Sequence, residues 1–195
     1  MKRLVLALFL FAMCTSPSLA SSTEKVRFQN TSFGESLVQF TKKLSKYKVV
    51  DQGSDYVALS GKVGNKQATI NGFFTPSSKK LYLVSVGFPS SATTFSSLEA
   101  NFQEISEIFS KKYGSPDGKL RQYSYPYEEG DGHELTALQV GKLLYANIWH
   151  LSDGKITCGM FSNSSNELEV IVYYNSATMD GLREKEEAAA LDADL

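Results

Sequence analysis

The sequence predicts an α+β fold made of one unit used twice: a helix followed by an antiparallel meander, with the helices packed on one face of the sheet or sheets and a further helix at the C-terminus. Three observations predict it. Phe95, Leu98, Phe102, Ile105, Ile108, Phe109 and Tyr113 recur mainly at steps of three and four, which lays an apolar stripe along an α-helix. Before and after that helix the apolar period falls to two, the mark of half-buried strands. The two halves also present their elements in the same order.

In chain order, residues 1–20 read as a secretory signal. Lys2 and Arg3 form a positive start, Leu4 to Met13 is apolar, and Ser18-Leu19-Ala20 is a small-x-small site that sets cleavage after Ala20. The apolar run is too short to span a membrane. Cys14 offers the alternative of a lipid-modified N-terminus, although Met13 before it is larger than a lipoprotein signal peptidase accepts. Residues 21–31 read as a polar leader, and 32–195 as one domain.

The first half covers 32–90. Phe33, Leu37, Phe40, Leu44 and Tyr47 predict a helix, with Ser32 and Glu35 at the spacing of a capping box. Lys48 to Asp51 is a short strand. Val57, Leu59 and Val63 alternate up to a Gly64-Asn65 turn. Ala68, Ile70, Gly72 and Phe74 return, and Tyr82, Val84, Val86 and Phe88 form a third alternating strand.

The second half covers 91–175. The long helix is preceded by a Ser/Thr run that offers N-caps and is stopped by Gly114 and Pro116. Strands are predicted at Leu120 to Tyr123, Leu135 to Val140 and Leu143 to Leu151. Asp153-Gly154 turns the chain into Ile156, Cys158 and Met160; Asn163 to Asn166 turns it again into Leu168, Val170, Val172 and Tyr174. A last helix over 178–192 has a poor apolar stripe and is expected to dock loosely. Hairpin connections exclude a parallel doubly wound sheet, which needs a helix between successive strands.

Composition narrows the function. The chain has 195 residues and a net charge of −1. Loss of Lys2 and Arg3 with the signal takes it to about −3, so nucleic acid is not an expected partner. Without Cys14, Cys158 is the sole cysteine and no intramolecular disulfide forms; its alternation with Ile156 and Met160 marks it as a small buried hydrophobe. The chain contains no nucleophile elbow, H-E-x-x-H, P-loop or dinucleotide fingerprint. No catalytic residue, metal or cofactor is therefore assigned.

The most unusual stretch is Tyr123 to Glu134, with three tyrosines, four carboxylates and a histidine around two glycines and a proline. Oxygen ligands at Glu128, Glu129, Asp131 and Glu134 would suit calcium, but not at the spacing of an EF-hand. The other reading is a solvated loop between strands. Trp149 and His150 are adjacent in a strand and must face opposite ways. Tyr145, Asn147 and Trp149 share a face that is either core or an aromatic platform. The candidate binding residues are Tyr125, Tyr127, Glu128, Asp131, His133 and Trp149.

Phe33-Gly34-Glu35, Lys112-Tyr113-Gly114-Ser115-Pro116, Trp149 before a hairpin turn, Val172-Tyr173-Tyr174-Asn175 and a short acidic tail together resemble small exported proteins, uncharacterised in function, of Bacteroides-type bacteria. The K-Y-G-x-P helix ending is also similar to the helix–meander modules of beta-lactamase inhibitor protein and of the outer-membrane assembly lipoprotein BamE. That likeness implies binding to another protein through a sheet face or loops, and it carries over no active-site residues. The expected function is an exported, periplasmic or extracellular, non-catalytic protein-binding module whose partner the sequence does not identify. Membrane attachment would come only through lipidation at Cys14. The alternatives are a small-molecule or carbohydrate binder that stacks ligands on the tyrosines and Trp149, and a hydrolase with an unfamiliar site.

Overall fold

In a computed structural model, the described residues are 24–163 and 167–193. The expected signal segment, Cys14 and most of the Asn163 to Asn166 turn lie outside them. The described chain is α+β: one open antiparallel sheet of eight strands, four helices, the last of them C-terminal.

The first helix is shorter than its apolar spacing suggests. α1 spans Leu37–Lys43 and is capped by Ser36, whose side chain accepts from the Gln39 N–H while the Gln39 side chain accepts from the Ser36 N–H. The capping box lies four residues beyond the expected one because Gly34 takes φ +87 and bonds to β-structure instead. The Gly34 N–H donates to the Leu81 carbonyl and the Leu81 N–H to the Glu35 carbonyl. Phe33, Phe40, Leu44 and Tyr47 all still face apolar neighbours, so the periodicity reported burial correctly but overstated the helix.

β1 (Lys48–Gln52), β2 (Tyr56–Val63), β3 (Lys66–Phe74) and β4 (Leu81–Ser90) pair in that order. Gly64, at φ +65, turns β2 into β3. Phe40 of α1 lies on Gly72 of β3: a Cβ there would sit 2.7 Å from the ring. Burial of side chains such as Phe40, Ile70 and Val86 stabilises this half by about 1.5–3 kcal/mol each.

α2 (Phe95–Tyr113) starts at Thr94, which caps the Ser97 N–H, and ends at Gly114 with φ +85. Pro116 follows. Leu98, Phe102 and Ile105 are buried with Trp149, Ile156, Cys158, Val170 and Val172. β5 (Gly118–Tyr123) is an edge strand. The next element corrects the expected strand over Leu135 to Val140: it is a helix, α3 (Glu134–Gln139). Ala137 and Leu138 are adjacent, and both reach the core because a single helical turn presents one flank to it. A short apolar run does not distinguish the two states by period alone. Gly141, at φ +69, then lets the Lys142 N–H reach the Ala137 carbonyl.

β6 (Leu143–Leu151), β7 (Gly154–Ser162) and β8 (Leu168–Ser176) complete the sheet, whose order is β1-β2-β3-β4-β8-β7-β6-β5. The two meanders join edge to edge through β4 and β8, with Val84 opposite Tyr174 and Val86 opposite Val172. The described part of the segment read as a polar leader, residues 24–31, belongs to the fold. Val26 enters the core under α2, Phe28 enters the core under α1, and the Val26 N–H donates to Asp153 at 2.7 Å.

α4 (Ala177–Ala193) follows β8 directly. Its attachment is polar rather than apolar. Glu186 accepts from the Ser77 and Ser78 N–H groups, Asn175 donates to Asp180, and the Arg183 guanidinium lies 5.5 Å from the Tyr82 ring centre. A weak stripe therefore does not mean a free helix. Cys158 is fully buried, and burial pushes its thiol up to about 12.

Candidate functional site

β6 is apolar on both faces. Tyr145, Asn147 and Trp149 face α2: Phe102 meets the Tyr145 ring edge-on, Asn147 donates to Ser106, and Phe109 packs on Trp149. Trp149 is 2% exposed and its indole N–H donates to the Gly114 carbonyl. It is core, and it offers no stacking surface to a ligand. Leu144, Ala146 and Ile148 point the other way by strand alternation, onto the face turned away from α2.

On that outer face Leu120 of β5 pairs with Ala146, and Gly159 of β7 sits on its other side. The absence of a side chain at Gly159 is used: the Phe161 ring lies across it, where a Cβ would come within 2.8 Å, and meets Tyr173 edge-on at 5.6 Å. The α3–β6 turn closes one end with Val140 and Gly141. The result is a groove of about 470 Å³. Leu144 is 50% and Val140 55% exposed at its rim. Gln139, Thr157 and Ser162 supply its polar lining, and no acid, histidine, cysteine, lysine or arginine lines it.

The Tyr123 to Glu134 stretch ends at the same corner. Tyr123 pairs with Leu143, and the Ser124 N–H donates to the Lys142 carbonyl, between the groove residues Gly141 and Leu143. Tyr125 is 92% exposed. Tyr127 turns inward and packs against the core under α2. Asp131 holds the loop: its two carboxylate oxygens accept the Glu128 and His133 N–H groups at 2.9 and 2.7 Å. Those backbone bonds hold its carboxyl below the usual carboxylate range. Glu134 accepts from the Gly130 N–H, and Gly130 and Gly132 both take positive φ.

Two of the four carboxylates, Asp131 and Glu134, are thus bonded to the loop's own backbone. No cluster of three or more His, Cys, Asp or Glu suited to a metal occurs among the described residues. Glu128 and His133 are exposed in the loop, and His150 is exposed elsewhere, with its Nδ1 2.8 Å from Asp117. The groove residues Leu120, Val140, Leu144 and Phe161 are absent from the sequence-derived candidates. Their signal was present in β6: an antiparallel strand that is apolar on both faces has a second apolar surface to account for.

No family model matches the chain, and neither a curated protein nor a solved structure matches it. No helix among the described residues is long and apolar enough to cross a membrane.

Proposed function

We propose that this is an exported, non-catalytic module that binds another protein through the outer face of β5–β7 and the adjoining Tyr125-bearing loop. The observation that carries the reading is the exposed apolar rim, Leu144 and Val140, around a groove on the sheet face turned away from α2. Contiguous apolar surface of this kind in water is stabilised by a partner that covers it. The groove's lining supplies no general acid or base: its only ionisable side chain is Tyr145, whose hydroxyl is bound to Glu99 on the α2 side. The fully exposed Tyr125 beside it is the kind of amphipathic aromatic that interfaces favour.

In this reading the two halves, 32–90 and 91–175, are one helix–meander unit used twice, with helices on one face so that the other is left for binding. The strand order supports it, since β4 and β8 end their respective halves and meet at the centre. Export rests on the signal-like residues 1–20. The groove's volume also lies in the range of small-ligand sites, which keeps a small-molecule ligand as the second reading.

Crosslinking of tagged protein in its native producing cells, with mass spectrometry of what is captured, tests the proposal. A reproducible protein partner should be lost with Leu144→Glu and weakened by Tyr125→Ala, both at exposed positions that leave the circular dichroism unchanged. Capture indifferent to Leu144→Glu would overturn it.

A further inference from the structure

The apolar stripe of α2 is wider than the surface it covers. Ile105 is buried, but Ile108, one turn on, is 59% exposed. It does not face the sheet as the stripe implies. It lines a cleft of about 230 Å³ between α2, the segment 27–29 and the β4–β8 seam. The cleft is separate from the outer groove, and its lining shares no residue with that groove.

Its walls are of two kinds. Val63, Val86, Phe88, Ile105, Ile108 and Phe109 make an apolar floor and sides. Arg27, Gln29, Lys112, Tyr113 and Tyr174 supply the polar part, and no acidic side chain lines it. Among the described residues, neither Arg27 nor Lys112 has a carboxylate within ion-pairing distance. Lys66, beside α2, differs: it is already neutralised by Glu104 at 2.7 Å. The Lys112 ammonium rests 4.7 Å from the Tyr113 ring centre. The hydroxyls of Tyr113 and Tyr174 have no hydrogen-bond partner among the described residues. Two unpaired cations and two free phenolic donors thus border a greasy slot.

That combination selects its ligand by chemistry. An apolar wall gains from a hydrocarbon chain. Cations and O–H donors at the rim gain from an anionic oxygen and repel a cationic head. At about 30 Å³ per water-sized unit, the slot holds about eight heavy atoms, which is the carbon chain of such a ligand with its two anionic oxygens outside at the rim. We infer that this cleft binds a small amphipathic anion, a medium-chain carboxylate of about eight carbons, with its chain against Phe88, Ile105 and Ile108 and its head at Arg27 and Lys112.

Isothermal titration of the purified protein with octanoate tests this, with octanol and octyltrimethylammonium as comparisons. Octanoate should bind saturably at one site, and the cation should not bind. Affinity should fall by about tenfold or more when Arg27→Glu and Lys112→Glu are combined, and again when Ile108→Trp fills the slot. All three positions are exposed, and an unchanged melting temperature confirms the fold of each variant. Octanol binding as tightly as octanoate, octanoate binding indifferent to Ile108→Trp, or no saturable binding at millimolar ligand would each overturn the inference. Octanoate binding lost instead with Leu144→Glu would also overturn it, by placing the ligand in the outer groove.

Discussion

The Arg121 guanidinium lies 3.6 Å from the ring centre of Tyr145, stacked on its face. It also donates to the Ala146 carbonyl at 2.8 Å and to the Asn147 side-chain oxygen at 3.1 Å. Asn147 donates onward to Ser106, while the Tyr145 hydroxyl donates to Glu99. Edge strand β5 and strand β6 are thereby tied to α2 at two points along the helix. Burial, then the bond to Glu99, pushes the Tyr145 phenol up to about 12, so it keeps its proton and donates at neutral pH.

Arg121→Met should therefore lower stability by about 2 kcal/mol, through the lost cation–π contact and an Asn147 oxygen left unpartnered. Arg121→Lys should recover part of the contact but not the forked hydrogen bonding. Urea unfolding near neutral pH checks both. An unchanged midpoint for Arg121→Met would show that the cluster contributes nothing net.

Gly72 is empty because Phe40 occupies its side-chain space, with a ring atom 2.7 Å from where a Cβ would stand. Phe40 is fully buried and has nowhere to retreat. Gly72→Ala should cost about 1–3 kcal/mol by overpacking. Phe40→Leu, destabilising alone, should be less so in the Gly72→Ala background, since the smaller side chain frees the space. A double-mutant cycle by thermal melting measures that coupling, and additive effects would rule out the steric cause.

Glu169 lies on the outer face over Gly87, its carboxylate oxygen 2.6 Å from the place a Cβ would take. Burial first, and the charge of Glu167 second, raise its carboxyl above the ordinary value. The folded state therefore holds this proton more tightly than the unfolded chain does. Its contribution is full below the ordinary carboxylate range and is lost as pH rises through the raised value. Glu169→Gln removes the penalty, so it should stabilise the protein near pH 7 and leave it unchanged near pH 3. Urea midpoints at the two pH values decide it; an equal gain at both would point to packing rather than charge.

The sequence pattern located α2, α4 and all eight strands of the described sheet because helix and strand periods are local properties of the chain. It mistook α3 for a strand, since six residues contain too little of either period. It overextended α1 because Phe33, Leu44 and Tyr47 reach the same core from non-helical backbone. The candidate residues divide in the same way. Asp131 and Tyr125 were legible as an unusual loop, but that the carboxylate closes the loop on its own backbone depends on φ values at Gly130 and Gly132 that composition does not reveal.

By itself, the sequence determined the α+β class, the antiparallel connections and that Trp149 and His150 face opposite ways, because alternation and turn chemistry act between neighbours in the chain; that the Trp149 side is core was decided by the packing of α2 on it. Only the tertiary structure decided that the two meanders share one sheet through β4 and β8. It also decided that Val26 and Phe28 enter two different cores, and that Leu144 borders a groove while Ile108 borders a cleft. Each of these depends on contacts between residues far apart in sequence, where apolar character alone does not say which partner, if any, covers a side chain.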